Sequence, residues 1–111
     1  MNLIFIYITS PTKKEARKIA RHLLEKKLIA CANIFPIASL YWWHGSASSP
    51  QRGKIAEEKE FVLIAKTIAA NFEKVKNEVE KIHSYSIPCI AKIPASANKK
   101  YYDWLKNEVK K

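Results

Sequence analysis

The amino-terminal run of residues 3–8 is apolar at both odd and even positions, and this run constrains the fold more than any other feature of the chain. A strand that is solvated on one face alternates polar and apolar residues, so an unbroken run predicts a strand covered on both faces. The run is far shorter than the about 20 residues that a membrane span needs. It also lacks the basic start and the small-residue cleavage site of a secretion signal, so we expect a cytoplasmic protein that does not associate with membranes.

The length and the residue counts exclude several classes of protein. The chain has 111 residues, and we predict one domain over residues 1–111 because each of two halves would bury too little apolar surface to be stable. Without an export signal, Cys31 and Cys89 are expected to be free thiols. The two glycines, Gly45 and Gly53, are too few for a phosphate-binding glycine loop, which excludes the usual nucleotide-dependent enzymes.

Three segments show the spacing of amphipathic helices. The first begins at Thr12, which forms a predicted capping box with Glu15. Its apolar stripe is Ala16, Ile19, Ala20, Leu23, Leu24 and Leu28. The inner stripe of the second helix is Phe72, Val75, Val79 and Ile82. Asn98 is predicted to cap the third helix. The packing residues of the third helix are Tyr101, Trp104, Leu105 and Val109.

Three further extended segments complete the predicted architecture. Residues 30–43 and 55–65 are rich in strand-forming residues and predict one long hairpin, with a loop at 45–53 and a bulge or a sheet edge at Pro36. Residues 87–93 predict a fourth strand. The resulting order, β-α-β-β-α-β-α, is typical of the α+β ferredoxin-like split β-α-β fold, a four-stranded antiparallel sheet with two helices on one face.

This architecture leaves one face of an apolar sheet uncovered. The first three strands are apolar on both faces, yet the first two helices cover only one of them and a short third helix cannot hide the rest. An exposed patch of that size is typical of an interaction surface, so we expect self-association through the sheet face and the long hairpin. The aromatic residues Tyr41, Trp42 and Trp43 are expected to pack in that interface.

The net charge of +10 lies mainly on the predicted helices. Residues 1–30 carry +5, residues 31–67 carry +1 and residues 68–111 carry +4, which is typical of a solvated, lysine-rich helix surface. Nucleic-acid readers of this architecture stack bases on aromatic residues of the sheet, as Phe5 and Tyr7 could do. The third strand begins instead with Glu57, Glu58 and Glu60, whose carboxylates repel phosphate. An RNA-binding module is therefore the less favoured reading, and we expect no nucleic-acid partner.

A set of motifs along the whole chain resembles the CutA family of divalent-cation tolerance proteins. The matching positions are residues 30–34, Pro36, Ser39, Tyr41, Trp43, Gly45, Glu60, Lys66, Thr67, residues 83–85, Pro88, Tyr102 and Trp104. The resemblance implies a ferredoxin-like subunit, a homotrimer built through sheets and hairpins, no enzymatic activity, and weak binding of copper or another divalent metal. Such a trimer would cover the exposed sheet face.

The chain departs from the family pattern in three places. It inserts about eight residues, 46–53, at the hairpin tip, which a loop tolerates at modest entropic cost. Ser84 replaces a proline of the family's His-Pro-Tyr motif, and Cys89 replaces a glutamate or alanine. The copper site of some members uses a cysteine and a histidine at positions that are Ile8 and Ile82 in this chain, so only His83 of that set is present.

His83 and Cys89 are the candidate metal ligands. A thiolate and an imidazole suit copper or zinc, but two ligands make a weak site unless water or a neighbouring subunit adds another. Alternatively, His83 ends the second helix as a structural residue. Cys31 is expected in the core, and the remaining histidines, His22 on the first helix and His44 at the hairpin, are expected at the solvated surface.

A second candidate site follows from the resemblance, which places Asn33, Trp43, Lys66 and Tyr85 around a cleft between subunits. A partly buried lysine at the end of a strand can bind an anion. This would make the protein a small-molecule or anion sensor, a function of a different class from metal tolerance. Alternatively, Lys66 pairs with Glu60 or with a carboxylate of a neighbouring subunit. The sequence shows no array of nucleophile, base and orienting group, so we predict a protein that is not an enzyme.

Overall fold

A computed structural model describes residues 2–43 and 53–110. These residues form, in chain order, β1 (Asn2–Ser10), α1 (Lys13–Glu25), β2 (Cys31–Trp43), β3 (Lys54–Thr67), α2 (Phe72–Ile82), β4 (Ile90–Ser96) and α3 (Lys99–Glu108). This order confirms the predicted one. His44, Gly45 and residues 46–52 of the predicted insertion lie outside the described residues, so the expectations for them stay predictions.

The four strands form one antiparallel sheet in the order β2-β3-β1-β4. β1 lies between β3 and β4, so that Ile8 is opposite Leu63 on one side and Ile90 on the other. β2 and β3 pair along their whole length, from Cys31 opposite Lys66 to Trp43 opposite Lys54. This is the predicted ferredoxin-like arrangement, with β2 as an edge strand of the subunit.

Pro36 confirms the predicted edge but not the predicted bulge. The pairing of β2 with β3 stays one to one through Pro36, which lies opposite Phe61. In an antiparallel edge strand, every second backbone N–H points away from the sheet, so a proline at such a position removes no hydrogen bond of the ladder. The strand therefore needs no extra residue to accommodate the proline.

The core lies between one face of the sheet and the two helices α1 and α2. On β1 the even positions, such as Ile6 and Ile8, face the helices and are fully buried. The other buried members of this cluster include Ile19, Leu23, Leu63, Ala65, Val75 and Val79. Leu28 is buried, although it follows the end of α1. Leu24, which was also predicted to face inward, is 40% exposed because it falls beside the apolar stripe.

The predicted boundaries of β4 are wrong by three residues. The sequence predicted a strand at 87–93, whereas β4 spans Ile90–Ser96 and pairs with β1 from Ile90 opposite Ile8 to Ser96 opposite Asn2. Ile87 is instead 89% exposed in the turn that precedes Pro88. The register with β1, which a local pattern does not reveal, determines where the strand begins.

The third helix differs from the prediction in two details. Asn98 occupies the N-cap position with an extended backbone, but its side chain makes no capping hydrogen bond. Leu105 and Val109 are buried as predicted, whereas Trp104 is 45% exposed and does not pack into the subunit core. The indole of Trp104 contacts the ring of Tyr101 at 5.6 Å between centroids.

The sheet face opposite α1 and α2 is only partly covered. At one end, α3 brings Tyr101 close to Lys66 and Phe5, whose side chains lie on this face. Further along the same face, Phe35 is 40% exposed. The β2–β3 hairpin extends beyond the helices and gives the described residues an elongated shape of 51 × 24 × 22 Å.

Candidate functional site

His83 follows the last turn of α2 and is held by hydrogen bonds at both ring nitrogens. Its Nε2 lies 2.7 Å from the carbonyl oxygen of Thr9, and its Nδ1 lies 2.9 Å from the backbone nitrogen of Tyr85. A carbonyl only accepts and a backbone N–H only donates, so the neutral tautomer with the proton on Nε2 satisfies both bonds. The side chain is fully buried. His83 therefore joins β1 to the turn after α2, and it can bind a metal only by giving up one of these bonds.

Glu15 lies next to this histidine and receives two hydrogen bonds from Ser84. The backbone N–H of Ser84 donates to Oε2 of Glu15 at 3.0 Å, and the Ser84 hydroxyl donates to the same oxygen at 2.9 Å. The predicted capping box is thus only half formed. Thr12 Oγ1 accepts from the backbone N–H of Glu15 at 3.1 Å, but the carboxylate of Glu15 binds Ser84 across the fold.

Tyr85 joins the same turn to β3. Its hydroxyl donates a 2.6 Å hydrogen bond to Oε2 of Glu60, and its ring lies against His83 with 4.8 Å between centroids. Glu60 is buried on β3, so the hydrogen bond from the phenol replaces one that this carboxylate would otherwise accept from water. Burial, the bond to Glu60 and the charge of Glu58 together raise the pKa of Tyr85. The phenol is thus a fixed hydrogen-bond donor at ordinary pH.

An open cavity of about 530 Å³ lies beside this tyrosine. Its lining mixes apolar and polar groups, and its charged side chains are the carboxylates of Glu58 and Glu60, with no basic side chain among the lining residues. The lining residues are Thr9, Ser39, Tyr41, Glu58, Glu60, Tyr85, Ile87 and Cys89. Desolvation and a hydrogen bond with Glu58 raise the pKa of Tyr41. These groups favour a cationic ligand over an anionic one.

The predicted ligand pair reaches this region only in part. Cys89 is an exposed free thiol in the cavity wall, whereas His83 is buried with both nitrogens bonded. Within residues 2–43 and 53–110, no three His, Cys, Asp or Glu side chains lie close enough together to hold a metal ion. The described part of one chain therefore does not provide a ready metal centre.

Lys66 lies at the opposite end of the sheet from the cavity. Its ammonium is 5.5 Å from the ring centroid of Phe5 and 5.7 Å from that of Tyr101, which is a cation–π arrangement. Cys31 lies directly opposite on β2, half-buried rather than deep in the core. Burial, followed by the nearby thiol of Cys31, raises the pKa of Tyr101.

The four predicted cleft residues do not meet within one chain. Asn33 lies near Lys66, but Trp43 is ten residues further along β2, a distance of roughly 33 Å in an extended strand. The predicted alternative, an ion pair of Lys66 with Glu60, is not formed, because Glu60 is six residues away on β3 and binds Tyr85. The two ends of the predicted cleft can come together only if different subunits contribute them.

Sequence reasoning missed the groups that hold this region together. Thr9 contributes a backbone carbonyl, which no side-chain motif reveals, and Glu15 had been assigned to a helix cap. One signal was available, since Glu58 and Glu60 are two residues apart on a strand and must share a face. That spacing predicts a local acidic surface at the cavity.

The fold by itself defines the class of protein. A four-stranded antiparallel sheet with two helices on one face and the order β2-β3-β1-β4 is that of ferredoxin-like α+β proteins. The family described as CutA1 divalent ion tolerance protein matches residues 4–108. The chain belongs to the CutA family of divalent-cation tolerance proteins, as the motifs had indicated.

Individual relatives agree with this assignment. The divalent-cation tolerance protein CutA of Archaeoglobus fulgidus is 47% identical over 106 residues, which cover 95% of this chain and 96% of that protein. A solved structure of the periplasmic divalent cation tolerance protein CutA from Archaeoglobus fulgidus has a TM-score of 0.87 at 46% identity and covers 99% of this chain and 100% of that one. A crystal structure of CutA1 from Oryza sativa has a TM-score of 0.88 at 33% identity, with 99% of this chain and 95% of that one covered. None of the helices in the described ranges is long and apolar enough to cross a membrane.

Proposed function

We propose that this chain is a homotrimeric divalent-cation tolerance protein that binds copper or another soft metal weakly and has no enzymatic activity. The observation that carries the proposal is the apolar surface that the described chain leaves exposed on β2 and β3. Leu40, Trp42 and Ile55 on the hairpin are each almost two-thirds exposed, and Phe35 is exposed on the sheet face. Apolar surface of this extent is typical of an interface, and a closed ring of subunits would cover all copies of it.

The oligomeric state can be tested with two substitutions at equally exposed apolar positions. Phe35 on the open sheet face and Leu24 on the outer side of α1 are both 40% exposed. We expect wild type and Leu24→Lys to sediment as trimers at micromolar concentration, and Phe35→Lys to shift towards the monomer. A wild-type protein that sediments as a folded monomer would refute the trimer.

Metal binding is proposed to centre on Cys89. Its thiol is exposed, it lines an acidic cavity, and thiolates are ligands that copper(I) and zinc prefer. His83 joins as a second ligand only if Nδ1 releases the backbone N–H of Tyr85. That exchange opposes binding, which supports a weak site rather than a tight one.

A titration with copper(I) or zinc tests this assignment. We expect Cys89→Ala to lose measurable binding, while Cys31→Ala, which removes the other thiol, retains it. His83→Ala is expected to weaken binding less than Cys89→Ala does. Wild-type affinity in Cys89→Ala and in the double variant with His83→Ala would refute both ligand assignments.

The arrangement around His83 supports the proposal that the protein is not an enzyme. Ser84, His83 and Glu15 are neighbours, but the Ser84 hydroxyl donates to Glu15 and Nε2 of His83 bonds to Thr9. A hydrolytic triad requires the serine to bond to the histidine, and the histidine to bond to the carboxylate through its other nitrogen. These three side chains are therefore arranged as a structural link.

The alternative function is a sensor of small molecules or anions, and only the part of the proposed cleft around Lys66 suits an anion. The cavity near Tyr85 is lined by Glu58 and Glu60 and disfavours anions, whereas Lys66 has an aromatic surrounding and no carboxylate within ion-pair distance in the described residues. An anion would therefore bind at Lys66. Loss of anion binding in Lys66→Gln but not in Tyr85→Phe would support this function.

The proposed location is the cytoplasm. The described cysteines are both free, which is the usual state in a reducing compartment. The solved structure of the Archaeoglobus fulgidus relative describes that protein as periplasmic, which makes the periplasm the alternative location. Cell fractionation with an antibody against the chain would decide between the two compartments.

A further inference from the structure

The outer face of α1 carries four cations that lack ion-pair partners. Lys14, Arg17, Lys18 and Arg21 are exposed, and none of them lies within 4.0 Å of a carboxylate in the part of the chain that the structure describes. We call these four residues the basic face. They recur at spacings of three and four residues, so they share one side of the helix.

Several cations elsewhere in the chain do form ion pairs. Lys76 of α2 pairs with Glu73 at 2.8 Å, and Lys99 of α3 pairs with Asp103 at 2.6 Å. Lys81 of α2 and Lys26, the residue after α1, both bind Glu78, at 3.2 and 2.9 Å.

On α1, no carboxylate of the described residues forms an ion pair with the basic face. Glu15 is bound by Ser84, and Glu25, one turn after Arg21, lines the same two grooves but has no cation of the basic face within 4.0 Å. Like charges four residues apart destabilise a helix by a few tenths of a kcal/mol, and the basic face contains two such pairs, Lys14 with Lys18 and Arg17 with Arg21. An anionic partner would relieve this repulsion.

The shape around the basic face suits an extended anion. Two open grooves of about 400 and 460 Å³ lie on either side of α1, one towards β2 and the other towards Ile82 at the end of α2. Arg17, Arg21 and Glu25 each line both grooves, so two cations and one carboxylate lie along the helix between them. Residues four apart on a helix are about 6 Å apart along its axis, which gives a row of regularly spaced positive charges.

We propose that the basic face binds the phosphate backbone of double-helical nucleic acid without regard to sequence. Arginine presents a planar fork of donors that matches phosphate oxygens. α1 has no aromatic residue on which unpaired bases would stack, which favours a duplex over a single strand. Ile19 and Leu23 are fully buried in the core and Leu24 alone is partly exposed, so the helix has no apolar side that could enter a membrane.

This proposal differs from the RNA-binding hypothesis considered for the sequence. That hypothesis had bases stack on aromatic residues of the sheet, where Glu58 and Glu60 would repel phosphate. The basic face lies on the opposite side of the subunit from the open sheet face, so those carboxylates do not oppose it. Because the basic face lies outside the sheet surface proposed as the trimer interface, binding does not depend on the metal site or on the cavity near Tyr85.

The test is a binding isotherm to a fluorescent 20-base-pair duplex of arbitrary sequence at several salt concentrations. If each basic face neutralises four phosphates, a plot of the logarithm of the association constant against the logarithm of the salt concentration should have a slope of about −3.6. Affinity should therefore fall roughly 100-fold between 50 and 200 mM salt. Arg17→Gln/Arg21→Gln should reduce the slope by about 2 and weaken binding at low salt by at least about 10-fold. Lys14→Gln/Lys18→Gln should have a similar effect.

The matched control is Lys74→Gln/Lys100→Gln, which removes from α2 and α3 two exposed cations that form no ion pair with any described residue. We expect it to bind the duplex nearly as wild type does, with circular dichroism showing all variants folded. Equal loss in the control would overturn the proposal, because net charge alone would then explain binding. Tighter binding to single-stranded RNA, or to vesicles containing phosphatidylserine, than to the duplex would also overturn it.

Discussion

Ser84 donates two hydrogen bonds to one carboxylate oxygen of Glu15, one from its backbone N–H and one from its hydroxyl. The pair ties the turn after α2 to the first turn of α1 and lies next to the buried ring of His83. A proline at position 84, which the motif resemblance led us to expect, would have neither donor. With serine at this position, the chain forms a link between α1 and the turn after α2.

Removing the hydroxyl tests the strength of this link. Ser84→Ala deletes one of the two bonds and leaves the backbone N–H in place, so we expect a loss of about 1 kcal/mol in the free energy of unfolding. Urea unfolding at fixed protein concentration measures it, since the stability of an oligomer depends on concentration. Ser86→Ala, two residues further along the same exposed turn, is the control and should stay within about 0.5 kcal/mol of wild type.

Tyr85→Phe is expected to destabilise the protein by about 2 kcal/mol. The phenol donates to Glu60, which is buried, and its removal leaves a carboxylate without that donor. Tyr102→Phe serves as the control, because the ring of Tyr102 contacts Lys106 at 5.5 Å and would be retained. Equal stabilities of the two variants in urea would contradict the structural role assigned to the phenol.

The raised pKa of Tyr85 also predicts a loss of stability in alkali. Its pKa in the folded state lies above the ordinary value of about 10, chiefly because of burial and then because of Glu60. The corresponding stabilisation is complete below about pH 10 and is lost as the pH rises towards the folded-state pKa. The free energy of unfolding, measured between pH 9 and pH 11, should therefore decline less steeply for Tyr85→Phe than for wild type. Identical slopes would contradict the role of Tyr85 in this loss of stability.

Asn71→Ala is expected to loosen the carboxyl-terminal segment. The amide nitrogen of Asn71 lies 3.1 Å from the carbonyl of Leu28, 3.3 Å from Oγ1 of Thr67 and 3.0 Å from the carbonyl of Lys110, all at a buried position. Losing these donors should reduce stability by about 2–3 kcal/mol. Hydrogen exchange should also become faster at the Lys110 amide, which bonds to Lys27.

The control for this prediction is Asn77→Ala, which changes the same residue type at an exposed position of α2. It should unfold at nearly the same urea concentration as wild type. An effect as large as that of Asn71→Ala would show that the loss comes from asparagine replacement in general and not from the buried bonds.

Glu78 predicts a loss of stability in acid. Hydrogen bonds from His22, Lys26 and Lys81 lower its pKa to about 2. A lowered folded-state pKa stabilises the protein above the unfolded-state value of about 4.3, and this contribution is lost as the pH falls from there towards 2. Glu78→Gln should flatten the decline in stability between pH 4.5 and pH 2, while Glu80→Gln, which removes an exposed carboxylate without an ion pair in the described chain, should leave it steep.

The secondary structure was largely predictable because it follows from local spacing. The apolar positions at 16, 19, 20 and 23 predicted α1, and the unbroken run at 3–8 predicted a strand buried on both faces. The motifs around Cys31 and His83 also identified the family. The errors lie where local spacing carries no information: the start of β4 depends on its register with β1, and the orientation of Trp104 depends on how α3 is placed.

The candidate site depends more on the tertiary structure. Tyr85 and Cys89 lie at one cavity, whereas Lys66 and Tyr85 lie at two ends of the sheet within one chain, so the cleft between subunits stays a prediction. The distant neighbours of His83 could not be predicted, since Thr9 and Glu15 are 74 and 68 positions away in the chain and Thr9 contributes only its backbone carbonyl.

The sequence alone determined which segments are helices and strands and which of their faces are apolar, because contact with solvent or core sets the pattern of each segment separately. Its motifs also identified the family. The folded arrangement establishes that Tyr85 donates to Glu60, that Ser84 donates to Glu15 and that the four cations of the basic face have no carboxylate within 4.0 Å among residues 2–43 and 53–110. These outcomes depend on strand register and helix placement. Both arise only when distant segments pack together, and a hydrogen bond requires its two atoms to meet within a few tenths of an ångström.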